Sequence, residues 1–355
     1  MNAVLREPGC RFGSHRVIDP PGALPQTAWK LDNRPEIRSN EMLCAVETLN
    51  LDSASFRQIA EMCGRDAGAI AAHVLATVAE RGKQHNAVTG SGGMFVGRVL
   101  EVGESLGQSA PAPGTRIASL VSLTLTPLRL EAIEAVDVAT GQLTVRGTAV
   151  LFESAAFTQL PDDLPTRVTL AVLDVAGAPA QVARLAAAGS TVCVIGADGK
   201  SGLLCCAQAR ASTAPDGRVV GIVPDAETPG ARLLRTEGLV DALLEADARD
   251  ALAVQAAISA MLPDLADVVV NCVNVPGTEL ASILCCRERG TVYFFSMATS
   301  FTAAALGAEG VGKDVAMMIG NGYARGHAEL ALQKVRERPA LAAYFSTRYG
   351  VSSAR

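Results

Sequence analysis

The residues best placed for chemistry lie in a glycine-rich run, Thr191-Val-Cys-Val-Ile-Gly-Ala-Asp-Gly-Lys-Ser-Gly202. An apolar strand leads straight into glycines and then into a helical segment, Leu203 to Arg210. Backbone amides at such a helix N-terminus hold a pyrophosphate, and glycines let the phosphate approach. In the GxGxxG frame ending at Gly202, the second glycine is Gly199 and the first place holds Ala197, with Gly196 just before it. Lys200 and Ser201 complete the expected contact set. A P-loop is excluded, because its first glycine would fall on Val194. The alternative is a glycine turn with no ligand. The strand at Arg218–Val223 stands where the dinucleotide motif expects its second strand, which favours the nucleotide. That strand runs into Pro224-Asp225, with Glu227 beyond. Asp225 is a candidate for the ribose hydroxyls, which favours NAD over NADP, or else a turn residue after proline.

Acid–base candidates lie elsewhere. Asp174 sits in an otherwise apolar, helix-like run, Leu170 to Pro179, where a carboxylate is costly without a partner. It is either a functional carboxylate or a paired structural one. His85, in Arg81-Gly-Lys-Gln-His-Asn, titrates near working pH and suits proton transfer. Asp52 and Ser53 follow a strand and either do chemistry or cap the helix beginning near Ala54. Only four histidines exist, His15, His73, His85 and His327. His327 begins the last helix and is placed to reach the cofactor crevice.

The elements that must position these groups divide the chain in two. Residues up to about 160 have a β texture, with strands at Glu41–Leu49, Arg116–Leu125, Ala135–Val138 and Gln142–Leu151, the last two joined at Ala139-Thr-Gly, and a glycine-rich turn followed by a strand over Gly90–Gly103. One helix, Ser53 to about Arg81, interrupts them. After Leu160-Pro161 the pattern becomes strand–helix alternation, with strands at Thr191–Ile195, Arg218–Val223, Ala242–Leu244, Val268–Cys272 and Thr291–Phe295. That alternation implies a parallel sheet covered on both faces. Asn271, Asn274 and Val275 follow the fourth of these strands, and Ser296, Met297 and Thr299 the fifth. Carboxyl ends of parallel strands face the cofactor crevice, so these six are candidate nicotinamide and ribose neighbours, with ordinary turn chemistry as the alternative. Glu309, Lys313 and Asp314 lie in a charged glycine-rich stretch that reads as a lid. A last helix runs from Gly326 to Arg338.

Composition narrows the classes. The chain has 355 residues, 49% hydrophobic and 19% charged, which supports two packed cores. A net charge of −5 with no basic run argues against nucleic acid. No apolar stretch suits a membrane span; Val168 to Ile195 carries Asp174 and Arg184 and reads as core. The first eight residues hold no signal-like apolar stretch. Nine cysteines with no CxxC read as reduced thiols of a cytoplasmic protein.

The order of a β-rich half, a Rossmann half and a returning C-terminal helix resembles the medium-chain dehydrogenase/reductase superfamily. Gly92-Gly-Met-Phe-Val-Gly-Arg-Val99 stands where that superfamily has GHExxGxV, and Pro113-Gly-Thr-Arg-Ile117 where it has PGDRV. The resemblance implies a GroES-like substrate domain over 1–164, completed by 326–355, and a Rossmann domain over 165–325. It also implies a homodimer joined by strand addition around Asp314–Ile319. The departures concern zinc. The places of its histidine and glutamate hold Gly93 and Met94, the first cysteine ligand falls near Asn50, and the third ligand near Asp174. These cannot build a thiolate–imidazole site, so no metal is expected.

Longer strings are more specific. Pro8–Val17, Leu49–Phe56, Arg81–Asn86, Val172–Val182, Asn271–Gly277 and Val292–Phe301 resemble the L-erythro-3,5-diaminohexanoate dehydrogenase family. The resemblance implies oxidative deamination of a 3-amino group with reduction of NAD or NADP, release of ammonium, and a place in anaerobic lysine fermentation. Such a reaction needs proton removal from the amine and activation of water. The resemblance makes Asp174, His85, Asp52 and Ser53 the catalytic candidates, with Arg81 or Lys83 holding the substrate carboxylate. A zinc-free quinone or enoyl reductase and a non-catalytic nucleotide sensor are the competing readings. The first wants an apolar pocket; the second needs no placed acid–base groups.

Overall fold

The computed structural model describes residues 6–320 and 322–350. Residues 1–5, part of the stretch read for a signal, and 351–355, the end of the expected C-terminal completion, lie outside the described residues. The described residues divide into two compact units, one built from residues 6–170 together with 349–350, the other from Ala171 to Arg348.

In the first unit β1 (Val17–Asp19) and β2 (Lys30–Leu31) form a small ribbon. Then come β3 (Glu41–Asn50), α1 (Ser53–Met62), α2 (Ala67–Arg81), β4 (Met94–Val102) and β5 (Arg116–Ser119). β6 (Leu128–Asp137), β7 (Gln142–Phe152) and β8 (Phe157–Gln159) complete an antiparallel sheet of order β6-β7-β3-β4-β5-β8. Its buried face, with Cys44, Val46, Leu49, Phe95, Val99, Leu143 and Leu151, packs with Ile59, Ile70 and Val74 of the two helices in one core. Alternation on β4 and β7 turns one set of side chains inward.

Two sequence expectations change here. The single helix over 53–81 is two helices. Gly64 and Arg65 both take left-handed backbone conformations, φ 61° and 58°, and Asp66 then caps α2 through its carboxylate and the Ala69 amide. The strand expected over Arg116–Leu125 stops at Ser119, because Ser122 caps a 3-10 turn at Leu123–Leu125. The amino-terminal segment is tied to β3 by a buried ion pair. Arg16 donates from Nε and Nη2 to Glu41 at 2.7 Å each, and its remaining donors reach the carbonyls of Asp32, Arg34 and Glu36.

The second unit contains α4 (Gly177–Leu185), β9 (Thr191–Ile195), α5 (Lys200–Thr213), β10 (Arg218–Val223), α6 (Pro229–Thr236) and β11 (Ala242–Glu245). α7 (Ala251–Met261), β12 (Ala266–Asn271), α8 (Glu279–Cys285), β13 (Cys286–Phe294), α9 (Phe301–Gly310) and β14 (Ala316–Ile319) follow. α3 (Thr166–Leu173) crosses the unit boundary. The sheet is parallel, in the order β11-β10-β9-β12-β13-β14, which reverses direction of growth at β9 and β12. β14, within the stretch expected to add a strand between copies, is the sixth strand and occupies the sheet edge. The helix expected over Gly326 to Arg338 is α10 (His327–Arg336), and a further helix the sequence did not signal, α11 (Pro339–Tyr349), begins at the proline, a residue accepted at a helix start. α10 packs on α4 and α5, within the second unit. This departs from the expected completion of the first domain by 326–355. Its buried face, Ala328, Ala331, Leu332 and Val335, is what α4 and α5 receive. The charged stretch expected as a lid is anchored: Lys313 donates to the Cys286 carbonyl at 2.7 Å, and Glu309 lies in α9.

Among the described residues no single helix is long and apolar enough to cross a membrane. All nine cysteines are free thiols.

Candidate active site

The nucleotide loop is built by β9, its turn and the start of α5. Gly196 takes φ 77° directly after the strand, and Gly199 is the N-cap of α5 with no side-chain cap. The first-turn amides of an α-helix have no intrahelical partner, so those of Lys200, Ser201 and Gly202 are offered to a ligand. A Cβ on Gly202 would stand 2.2 Å from the Gly196 carbonyl oxygen, so packing of helix on turn requires glycine there. At Gly199 a Cβ would meet only that same oxygen, at 3.6 Å. Nothing in the protein requires glycine at 199, whereas close approach of a pyrophosphate would. Ala197, fully buried, lies under the turn. The loop therefore fits a dinucleotide.

The other expected nucleotide contacts also lie past the carboxyl ends of β10, β12 and β13. Asp225 is exposed, and its Oδ1 accepts from the Glu227 amide at 2.7 Å, so its carboxylate forms the turn after β10. Thr228 donates to Asp198 at 3.0 Å, tying this loop to the glycine loop. Asn271 is fully buried and its carboxamide is spent inside the fold. Nδ2 donates to Thr278 Oγ1 at 2.9 Å and Ser282 Oγ at 2.8 Å, and Oδ1 accepts from the Val273 amide. It therefore shapes the 272–278 loop instead of facing a ligand, which corrects the expectation for this side chain. Ser296 donates to Asn274 at 3.1 Å, joining the two loops. Val275 and Thr299 are half-buried and Met297 exposed.

Asp174 lies in the break between α3 and α4 and is ion-paired to Lys200, the first residue of α5. The sequence reading kept both groups but did not pair them. The pair is largely buried, with side chains 8% and 14% exposed.

In the first unit, the other candidates gather around the ends of β3 and β4. Asp52 caps α1, accepting at Oδ1 from the Ser55 amide at 2.9 Å, while its Oδ2 is buried without a hydrogen-bond partner among the described residues. Ser53 is the exposed first residue of α1. His85 follows the C-cap Gly82 of α2, and its Nδ1 stands 3.2 Å from Thr124 Oγ1. Burial, then the nearby charges of Arg81 and Lys83, push its pKa down to about 4, so the ring is neutral at working pH. Arg81 stacks over Trp29, 4.1 Å from the ring centroid, and donates to the Trp29 carbonyl. Lys83 is fully buried and donates to the carbonyls of Pro25 and Gln26 at 2.6 and 3.4 Å. Burial first, then Arg81, lowers its pKa to about 8. An ammonium enclosed in this way is not available to a substrate carboxylate, which corrects the expectation for Lys83.

Sequence reasoning missed a set of buried amides. Gln142 donates to Asn50 Oδ1 at 3.3 Å and to the Arg167 carbonyl at 3.1 Å. Asn50 Nδ2, Gln142 Oε1 and Gln84 Oε1 have no hydrogen-bond partner among the described residues. Asn50 marked itself only as a replaced ligand position; Gln84 and Gln142 carried no signal, since Gln142 is set opposite Asn50 by strand register and Gln84 is buried in the loop after α2. Among the described residues no three His, Cys, Asp or Glu side chains are grouped to hold a metal ion.

Comparison with known proteins decides the family. A protein from Acetoanaerobium sticklandii called L-erythro-3,5-diaminohexanoate dehydrogenase is 50% identical over 343 residues, 96% of this chain and 99% of its own length. The chain belongs to the L-erythro-3,5-diaminohexanoate dehydrogenase family. A protein of the same name from Fusobacterium nucleatum subsp. nucleatum is 46% identical over 96% of this chain and 99% of that one. The model of the L-erythro-3,5-diaminohexanoate dehydrogenase N-terminal domain matches residues 15–161. Among solved structures, a mycobacterial quinone oxidoreductase superposes with a TM-score of 0.53 at 17% identity, covering 92% of this chain and 86% of that one. A mycobacterial protein complexed with NADPH gives 0.54 at 16% identity, covering 90% and 85%. The fold is thus α/β, a GroES-like sheet unit with a Rossmann unit, as in medium-chain dehydrogenases and quinone oxidoreductases.

Proposed function

We propose that this chain oxidatively deaminates the 3-amino group of L-erythro-3,5-diaminohexanoate, giving 5-amino-3-oxohexanoate, ammonium and a reduced nicotinamide. The carrying observation is near full-length identity of 50% to a dehydrogenase of that name. The intact glycine loop of β9 and α5 supports it. A nicotinamide held there would supply the hydride acceptor for C3. Everything else falls to side chains of this chain.

The amides of Lys200, Ser201 and Gly202 would hold the pyrophosphate, with Gly199 leaving room. Asp225, at the ribose position after β10, favours NAD: a carboxylate accepts from ribose hydroxyls and repels a 2′-phosphate. NADP remains the alternative ligand of the same loop. His85 is the base, because it is neutral and only its Nδ1 is engaged. It takes the proton from the 3-ammonium and releases it to solvent, then takes a proton from the water that attacks the iminium and returns it to the leaving nitrogen. Asp174 acts through its ion pair with Lys200, holding the start of α5. The unpartnered acceptors of Asp52, Gln84 and Gln142 outnumber the one unpartnered donor of Asn50. That balance suits a substrate with two ammonium groups and one carboxylate. Arg81 remains the candidate for the carboxylate.

The zinc-free reading rests on Asn50, Gly93 and Met94 at the places of metal ligands. We place the enzyme in lysine fermentation, in the cytoplasm and as a homodimer. Its nine free thiols support a reducing compartment, and the exposed Met317 and Ile319 on edge strand β14 support pairing between copies. The test is NADH formation from chelator-treated protein, NAD and 3,5-diaminohexanoate. Ammonium released in step with NADH is the expected result. Cofactor binding without turnover, with NADP also tried, overturns the proposed substrate.

A further inference from the structure

We propose that Thr124 is a positioning residue that sets the ring tautomer of His85, with the proton on Nδ1 and the lone pair on Nε2. The argument is a count of donors and acceptors. Thr124 Oγ1 is within reach of three groups: His85 Nδ1 at 3.2 Å, the Gly90 carbonyl at 3.4 Å and the Gln84 carbonyl at 3.5 Å. A hydroxyl has one proton to give. Carbonyl oxygens can only accept, whereas a neutral imidazole nitrogen can do either, depending on its tautomer. If the hydroxyl donated to His85, both carbonyls would lose their threonine donor. If it donates to a carbonyl, its lone pairs accept from Nδ1–H, and the ring and one carbonyl are both satisfied. Thr124 and Gln84 are each 1% exposed, so water does not offset the loss of the threonine donor at the Gln84 carbonyl.

The surroundings hold this geometry fixed. Thr124 lies in the 3-10 turn Leu123–Leu125, capped by Ser122, whose Oγ accepts from the Thr124 amide at 3.3 Å and the Gly92 amide at 3.1 Å. The Leu123 amide donates to the Gly93 carbonyl at 2.9 Å. A Cβ at Gly92 would stand 2.4 Å from the Gln84 carbonyl oxygen and 2.8 Å from the Thr124 nitrogen, so this glycine lets the histidine loop close on the turn. The charged groups facing the ring are Arg81 and Lys83, both cations, so no carboxylate competes for the Nδ1 proton. A ring neutral by environment, with its proton held on Nδ1 by the accepting Thr124 oxygen, presents its lone pair on Nε2 on the other side. The consequence for turnover rests on the reading of His85 as the base; the tautomer itself does not.

Four histidines make the test tractable. The full-length protein is labelled with ¹⁵N-histidine, and His85 is assigned by loss of its signals in His85→Gln. At neutral pH the wild type is expected to show Nδ1 protonated and Nε2 bare. Thr124→Val, close in shape but without the hydroxyl, is expected to give a tautomer mixture, and Thr124→Ser to restore the wild-type pattern. A bare Nδ1 in the wild type, or a Thr124→Val spectrum identical to wild type with unchanged melting temperature, overturns the proposal. On the same samples kcat is expected to fall roughly tenfold in Thr124→Val, the worth of one hydrogen bond, with KM for NAD unmoved. A shifted tautomer with unchanged kcat supports the assignment to Thr124 and instead removes His85 from the chemistry.

Discussion

Asp174 and Lys200 form an ion pair across 26 residues of sequence, joining the α3–α4 break to the first residue of the phosphate-binding helix. The pair is largely enclosed, so breaking it from one side leaves an uncompensated charge. Such a loss costs on the order of 3–5 kcal/mol when burial is complete and less at this partial exposure. Lys200→Met is therefore expected to lower the melting temperature more than the double variant Asp174→Asn, Lys200→Met. Equal melting temperatures would make the pair energetically idle. The Asp174→Asn variant should lose NADH affinity, read by fluorescence titration, because the start of α5 is no longer anchored.

Gly199 and Gly202 should behave oppositely when replaced by alanine. Gly199→Ala is expected to fold normally and bind NADH at least tenfold more weakly, about 1.4 kcal/mol, since its Cβ meets only one atom of the protein, at 3.6 Å. Gly202→Ala is expected to lose stability before affinity, because its Cβ would lie 2.2 Å from a carbonyl oxygen. Denaturant midpoints and NADH titrations on both variants separate the two effects.

His85→Gln should lower kcat by roughly 10²–10⁴-fold, the usual worth of a placed acid–base group. The wild-type pH profile should show no loss from His85 protonation until pH falls towards about 4. Lys83→Met removes one of the two cations facing the ring. The acidic limb of kcat/KM should then move to higher pH. An unmoved limb would detach His85 from the rate.

Glu41 gives a stability signature. Burial pushes its carboxyl up, but bonds from Arg16, His15 and the Arg38 amide, with the Arg16 charge, outweigh it and hold the pKa at about 2. The unfolded value is about 4.3. A group depressed on folding stabilises the native state above its unfolded pKa, and that stability is lost as pH falls through the folded value. Wild type should therefore shed up to about 3 kcal/mol between roughly pH 5 and pH 2. Glu41→Gln should be less stable at neutral pH and lose less on acidification, as read by urea midpoints across that range.

Asp225→Asn is expected to raise the NADP to NAD ratio of kcat/KM by relieving repulsion of the 2′-phosphate. An unchanged ratio would assign Asp225 to its turn alone, through the Glu227 amide it already holds.

The sequence by itself determined the two architectures and the nucleotide loop. Periodicity located β9 and β10 with the ends the structure gives them, and the glycine frame around Gly199 and Gly202 followed, because these signals are local: apolar runs, turn residues and spacing. Local signals also misled. The helix over 53–81 looked continuous because the backbone turn at Gly64 and Arg65 is a matter of φ, which composition does not display. What only the tertiary structure decided was partnership. Asp174 was legible as a carboxylate needing a partner, yet that partner, Lys200, comes from another element. Lys83 stands in the sequence as a candidate for the substrate carboxylate and is enclosed by the carbonyls of Pro25 and Gln26, residues 58 and 57 positions away. Asn271 looked like a ligand contact and is spent on Thr278 and Ser282. Thr124 gave no signal at all, since a threonine becomes a histidine's partner only when a turn and a loop distant in sequence pack together. Hydrogen bonds and ion pairs depend on distances of a few tenths of an ångström, and such distances are set by packing, which no run of residues records.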